Sequence, residues 1–339
     1  MSSIKSYGNA TEKASSPEEQ AVKINEVRKI IGPVAEKFPV LCSDASISRY
    51  LRARNWNTKK AVKMLKETLK WRLQFKPEKI RWDDVAMEAK TGKVYRANFV
   101  DKNGRTVLVM RPGYQNTNGI EGQMKHLVYC LENAIMTSNE EQMIWLVDFQ
   151  GWTMASISVK STKETIRVLQ NHYPERLALA ILFNPPKIFE SFWTMVKPFI
   201  EPKTYKKVKF AYSNNPESQK MMKELFDMDK LDSAFGGTNS SGFNHESYGQ
   251  WMKEDEKKIE DLVNSAASPP IPASLILESE KSGSQDPMQD TSASDEGERS
   301  PEVEGVDEET EGLSRSCSAV VTGNIGEVAE DPKRSLVTT

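Results

Sequence analysis

Apolar residues recur at helical spacing through the first quarter of the chain. Ser16-Pro17-Glu18-Glu19 combines a capping box with proline in the first turn, which predicts a helix running to Gly32-Pro33. A second start lies near Ser43, with Ile47, Tyr50 and Leu51 on one face. A third helix follows Thr58, where Val62, Leu65, Leu69 and Leu73 form a stripe. Residues 16–80 therefore read as a small helical lobe. At Val94 the pattern turns β-rich: KVYRANFV and RTVLVMRP flank Asp101-Lys102-Asn103-Gly104, a hairpin turn signal. A helix is expected near 122–137. MIWLVDF (143–149), LALAILF (177–183) and VKFAY (208–212) are apolar runs suited to buried strands. Between the first two, Val159, Thr162, Ile166 and Leu169 lie on one helical stripe, and Pro216 to Phe226 reads as a further helix. Such alternation implies right-handed parallel units and an α/β fold over residues 90–258.

One stretch exceeds what a surface helix needs. NPPKIFESFWTMVKPFIEPKTYKKVKF (184–210) crowds Phe189, Phe192, Trp193, Met195, Val196, Phe199 and Ile200 between prolines. A basic run, Lys203 to Lys209, follows at once.

Charge divides the chain. From Ser268 to Thr339 there are 16 acidic and 5 basic residues, a net of −11, so the overall −2 leaves +9 on residues 1–267. The tail lacks Trp, Tyr and Phe, cannot bury enough surface to offset chain ordering, and is expected to be disordered, as is a flexible lead at 1–15. Ser294-Asp295-Glu296-Gly297-Glu298 within it has the form of an acidic-directed phosphosite. The basic remainder suits an anionic partner such as a membrane surface, a lipid phosphate or a nucleic acid. Cys42, Cys130 and Cys317 form no C-x-x-C pair; with no secretory leader in view, the expected setting is the cytoplasm. No apolar run is long enough to span a bilayer.

Nucleotide-binding glycine loops, G-x-S-x-G and H-E-x-x-H are absent, and His126, His172 and His245 are scattered. No catalytic residue, metal site or cofactor is expected. Nucleic-acid binding is disfavoured because the aromatics sit in apolar runs rather than among the basic residues.

YLRARNWNTKKAVKMLKETLKWR (50–72), NHYPERLALAILFNPPKIFESFWTMVKPFIEPKTYKKV (171–208) and FGG (235–237) together resemble the CRAL-TRIO lipid-binding family, in its yeast-type phosphatidylinositol transfer branch. The resemblance covers roughly residues 40–255. It implies a helical N-terminal lobe against a mainly parallel sheet that floors an apolar lipid pocket, with a mobile gate helix within Lys187–Phe199. Trp145, Phe149, Leu182, Phe189, Phe192, Trp193 and Val196 are then the candidate pocket and gate residues. Matching motif positions give Arg54, Glu175, Thr204 and Lys207 as headgroup ligands: three donors for a phosphodiester and one acceptor for inositol hydroxyls. The implied function is binding and transfer of phosphatidylinositol, or its presentation to a lipid kinase, by a monomer that touches membranes transiently.

The energetics favour a sheltered route. A diacyl lipid has on the order of 30 methylenes at about 0.8 kcal/mol each, so passage through water costs over ~20 kcal/mol. Two departures from the family pattern stand out. Asn55 follows LRAR where a lysine is common, removing a charge. Met143 and Trp145 stand where phosphatidylcholine carriers have small hydroxyl residues, so weak phosphatidylcholine exchange is expected. Asn55 keeps open a sterol or tocopherol-like ligand instead, and a bland core role remains open for each apolar residue singly.

Overall fold

The computed structural model describes residues 16–156 and 158–265. The expectations for 1–15 and 268–339, including the Ser294 phosphosite and Cys317, lie outside them. The described elements are α1 (Pro17–Ile31), α2 (Val34–Lys37), α3 (Asp44–Ala53), α4 (Thr58–Phe75), α5 (Trp82–Ala89), β1 (Val94–Val100), β2 (Thr106–Met110), α6 (Ile120–Met136), β3 (Met143–Asp148), α7 (Val159–His172), β4 (Leu177–Phe183), α8 (Phe189–Val196), α9 (Pro202–Tyr205), β5 (Val208–Ala211), α10 (Pro216–Leu225) and α11 (His245–Ser265).

The helix starts are set by side chains. Ser16 and Glu19 form a reciprocal capping box, and Ser43, Asn57, Ser158 and Asn215 each accept a backbone N–H three residues on. Val27, Ile47, Leu51, Leu65 and Leu69 close a separate core for the N-terminal lobe. The expected stripe on α4 stops one turn early. Its last turn presses Trp71 and Phe75 toward the main core and leaves Leu73 exposed.

The sheet has the order β1-β2-β3-β4-β5, with only the β1–β2 hairpin antiparallel. Its register sorts residues onto two faces. Val107, Val109, Ile144, Leu146, Ile181 and Phe183 enter the main core with Phe226 and Phe235. Met110 pairs Val147, which pairs Leu182, and Trp145 pairs Ala180, which pairs Val208; these occupy the opposite face. The apolar runs are thus apolar on both sides, yet Trp145 and Val147 are only half-buried. They border a void. α11 was not foreseen as an element and extends past the expected end at Lys258; Trp82 of α5 donates its backbone N–H to Glu256 on it at 2.5 Å.

Candidate functional site

The void lies between that second sheet face and α6, α7 and α8, with a volume of about 360 Å³. Its floor is Met110, Trp145, Val147, Ala180, Leu182 and Val208. On α7, Thr162, Ile166 and Leu169 are half-buried rather than buried, because the stripe they form borders space, not side chains. α8 is the roof. Phe189, Phe192 and Val196 point inward and are nearly fully buried. Phe149 and Trp152 meet them edge to face, at ring-centroid distances of 4.5 Å for Phe149–Phe189 and 5.9 Å for Trp152–Phe192.

All seven pocket and gate candidates from the sequence lie on the cavity wall: Trp145, Phe149, Leu182, Phe189, Phe192, Trp193 and Val196. Met143 does not share it; its side chain packs in the main core. Trp152 was missed. It sits in the irregular segment after β3, where no periodicity assigns a tryptophan to any face.

Glu175, Thr204 and Lys207 border the same cavity, beside the starts of β4 and β5. The Lys207 ammonium donates to Glu175 Oε2 at 3.1 Å and to the Leu177 carbonyl at 2.9 Å. Glu175 holds φ +58°, a left-handed conformation that costs a side-chain-bearing residue energy. Arg54 stands apart. It is off the wall, and its guanidinium donates to Glu201 at 3.1 Å and to the Ala53 carbonyl. Asn55, next to it, has φ +50°, a conformation asparagine tolerates better than lysine does.

A second residue the sequence did not reveal is Gln170 on α7. Its amide donates to the Phe199 carbonyl at 3.0 Å and accepts from the Glu201 N–H at 2.6 Å. It clamps the chain just after α8. Nothing in the pattern distinguishes this glutamine from any other polar position on an amphipathic helix. Lys203 adds a bond to the Arg52 carbonyl at 2.9 Å, tying the same segment to the N-terminal lobe.

A wider cleft, about 830 Å³, lies across the Tyr173–Arg176 turn, between the N-terminal lobe and α11. Its wall is crossed by ion pairs, including Arg72 with Glu132 and Arg49, beside it, with Glu141. The smaller cavity has the apolar floor, the aromatic roof and cations at its rim.

Around α8 the outer surface is mixed. Ile188, Tyr205, Phe210 and Tyr212 are exposed, as are Lys187, Lys197, Lys203, Lys206 and Lys209. Among the described residues no helix is long and apolar enough to cross a membrane, and no cluster of His, Cys, Asp or Glu could hold a metal ion.

Two family profiles match the chain: the CRAL/TRIO N-terminal domain over residues 24–67 and the CRAL/TRIO domain over 89–237. A CRAL-TRIO domain-containing protein of Schizosaccharomyces pombe is 38% identical over 205 residues, 60% of this chain and 19% of that protein. The phosphatidylinositol transfer protein PDR17 of Saccharomyces cerevisiae is 33% identical over 231 residues, 63% of this chain and 62% of that protein. The SEC14 cytosolic factor of Yarrowia lipolytica is 27% identical over 76% of this chain and 56% of its own length. The chain thus spans from about a fifth to about three fifths of the curated relatives it matches. The crystal structure of Sfh5 superposes with a TM-score of 0.53 at 15% identity, covering 74% of this chain and all of that one. That likeness speaks for the fold.

Proposed function

Because the chain belongs to the CRAL/TRIO family, we propose that it binds a phospholipid, with phosphatidylinositol preferred, and carries it between membranes or presents it to a lipid kinase. One observation carries this reading: an apolar cavity roofed by α8 has Lys207, Thr204 and Glu175 on its wall. Lys207 and Thr204 supply donors for a phosphodiester, and the Glu175 carboxylate accepts from inositol hydroxyls. Arg54 acts at one remove, by holding Glu201 and the chain that bears Thr204. PDR17, at 33% identity, bears the name of a phosphatidylinositol transfer protein.

In this reading the roofed cavity, with Phe189, Phe192 and Val196 of α8 turned into it, is the closed state, and α8 swings outward to admit a lipid. Pro185-Pro186 and Pro198 bound the moving piece. The exposed surface on and beside it pairs the apolar side chains of Ile188, Tyr205 and Phe210 with lysines, which suits an anionic leaflet, where each charge contributes about 1 kcal/mol. Opening there exchanges cavity contacts for lipid contacts, so little apolar surface meets water.

The test is transfer of labelled phosphatidylinositol between vesicles. Wild type is expected to transfer it, and Lys207→Ala with Thr204→Val to lose at least tenfold of the rate. Unchanged transfer by the double variant overturns the headgroup assignment, and absence of transfer by wild type overturns the function.

A further inference from the structure

The wider cleft, between the N-terminal lobe and α11, holds a charge that nothing in the fold answers. Among the described residues four arginines stand on its wall. Arg49, Arg72 and Arg81 each meet a carboxylate: Glu141 at 2.8 Å, Glu132 at 2.7 Å and Glu260 at 3.0 Å. Arg176 meets none among the described residues. Its guanidinium donates from Nη1 to the Glu141 carbonyl at 2.9 Å. The Glu141 carboxylate itself is taken up by Arg49 and Arg52. Arg176 also borders the cavity under α8. Its charged end nevertheless belongs to the cleft: burial first, then the Arg49 charge, lowers its pKa to about 10, and Glu141, Glu132 and Tyr50 are the other groups that act on it. Charges out of water are normally paired, so a half-buried guanidinium beside a second one, with no carboxylate of its own, marks a place where an anion arrives. A neighbouring polar group is also unmatched. Ser46, one turn before Arg49 on α3, borders the cleft and is 1% exposed, and its hydroxyl has no hydrogen-bond partner among the described residues.

The rest of the wall selects the anion. Glu132, Glu256 and Glu260 line it too, so a second negative charge on the guest would be repelled. A carboxylate accepts two parallel N–H bonds from one guanidinium, and a serine hydroxyl can donate a third. The remainder is apolar. Phe38 and Leu41 in the α2–α3 link, Ile135 on α6 and Ile259 on α11 are only half-buried, because one side of each borders open space. The volume of about 830 Å³ lies within the ~300–1,000 Å³ range of small-molecule sites.

We infer that this cleft is a second ligand site, which binds an amphipathic monocarboxylate with its carboxylate on Arg176 and its alkyl chain along Phe38, Leu41, Ile135 and Ile259. It shares with the cavity under α8 only residues of the Tyr173–Arg176 turn.

The test is calorimetric titration of the full chain with dodecanoate and with 1-dodecanol, the same chain without the charge. Wild type is expected to bind dodecanoate roughly ten- to a hundredfold more tightly than the alcohol. Arg176→Gln keeps an N–H for the Glu141 carbonyl and is expected to erase that ratio, and Arg176→Lys to restore part of it. Met136 is 46% exposed on the cleft wall, where a substitution is tolerated by folding. Met136→Glu is expected to weaken dodecanoate at least tenfold by repulsion. No binding, equal affinities for acid and alcohol, or a ratio that survives in Arg176→Gln would each overturn the inference. Loss of dodecanoate in Lys207→Ala with retention in Arg176→Gln would place the acid under α8 and overturn it as well. Should Arg176→Gln fail to fold, the wild-type ratio and Met136→Glu still decide. None of these outcomes depends on phosphatidylinositol transfer, so the two readings stand or fall separately.

Discussion

At the scale of single residues, Glu175 is the most telling. It carries the proposed headgroup carboxylate on a left-handed backbone, where a Cβ costs about 1–2 kcal/mol. A residue kept there against that cost has its direction fixed by it: the carboxylate meets Lys207 at 3.1 Å. Glu175→Gly and Glu175→Ala both delete the carboxylate, and glycine alone relieves the backbone. The glycine variant is expected to unfold about 1 kcal/mol later than the alanine variant, with phosphatidylinositol transfer impaired alike in both. Equal stabilities in denaturant titrations would remove the strain argument. Trp145 governs a different outcome. Its bulky indole stands on the cavity floor, and it is proposed to exclude a choline-bearing headgroup. Mixed-lipid loading followed by mass spectrometry is expected to recover phosphatidylcholine at under a tenth of the phosphatidylinositol level, and comparable recovery contradicts this.

At the scale of elements, α8 is tethered at its C-terminal side by few bonds. Gln170 contributes two, each worth about 0.5–1.5 kcal/mol. Gln170→Ala is expected to raise amide exchange at residues 196–201 by about five- to a hundredfold. Lipid transfer should rise several-fold while the melting temperature moves little. Unaltered exchange there would show that the clamp does not hold the roof. The roof itself was legible in the sequence, because large apolar residues fenced by prolines exceed the needs of one helix face. The strands were legible for a similar reason: MIWLVDF and LALAILF are apolar on both sides, as register later requires. The clamp was not legible. A lone glutamine on an amphipathic helix carries no sign of which backbone will come to rest on it. Nor was Arg176, whose missing carboxylate is a property of three-dimensional packing. The lysines beside α8 act at this scale too. Lys203→Glu with Lys206→Glu is expected to cut transfer to anionic vesicles strongly while sparing neutral ones, and equal rates on both would exclude steering.

At the scale of the whole molecule, a cavity-bearing sheet must be stabilised by what surrounds it. The N-terminal lobe has its own core, and α11 closes the far side, where Arg96 is paired to Asp255 and lies 4.0 Å from the Trp251 ring centroid. Acid weakens the assembly through His126. Its folded pKa, about 3, is below the 6.5 of an ordinary histidine, so between these values the unfolded chain binds a proton that the folded one excludes. Stability is full above pH ~6.5 and falls as pH drops toward 3, by about 1.4 kcal/mol per pH unit from this group. His126→Leu should flatten that limb in thermal unfolding between pH 6.5 and 4; an unchanged slope would assign it to other groups. The most direct measurement of the central proposal is native mass spectrometry of the full chain purified from cells, followed by identification of the released lipid. One inositol phospholipid per chain is expected. A chain that emerges empty, or that releases no lipid when denatured, contradicts the proposal.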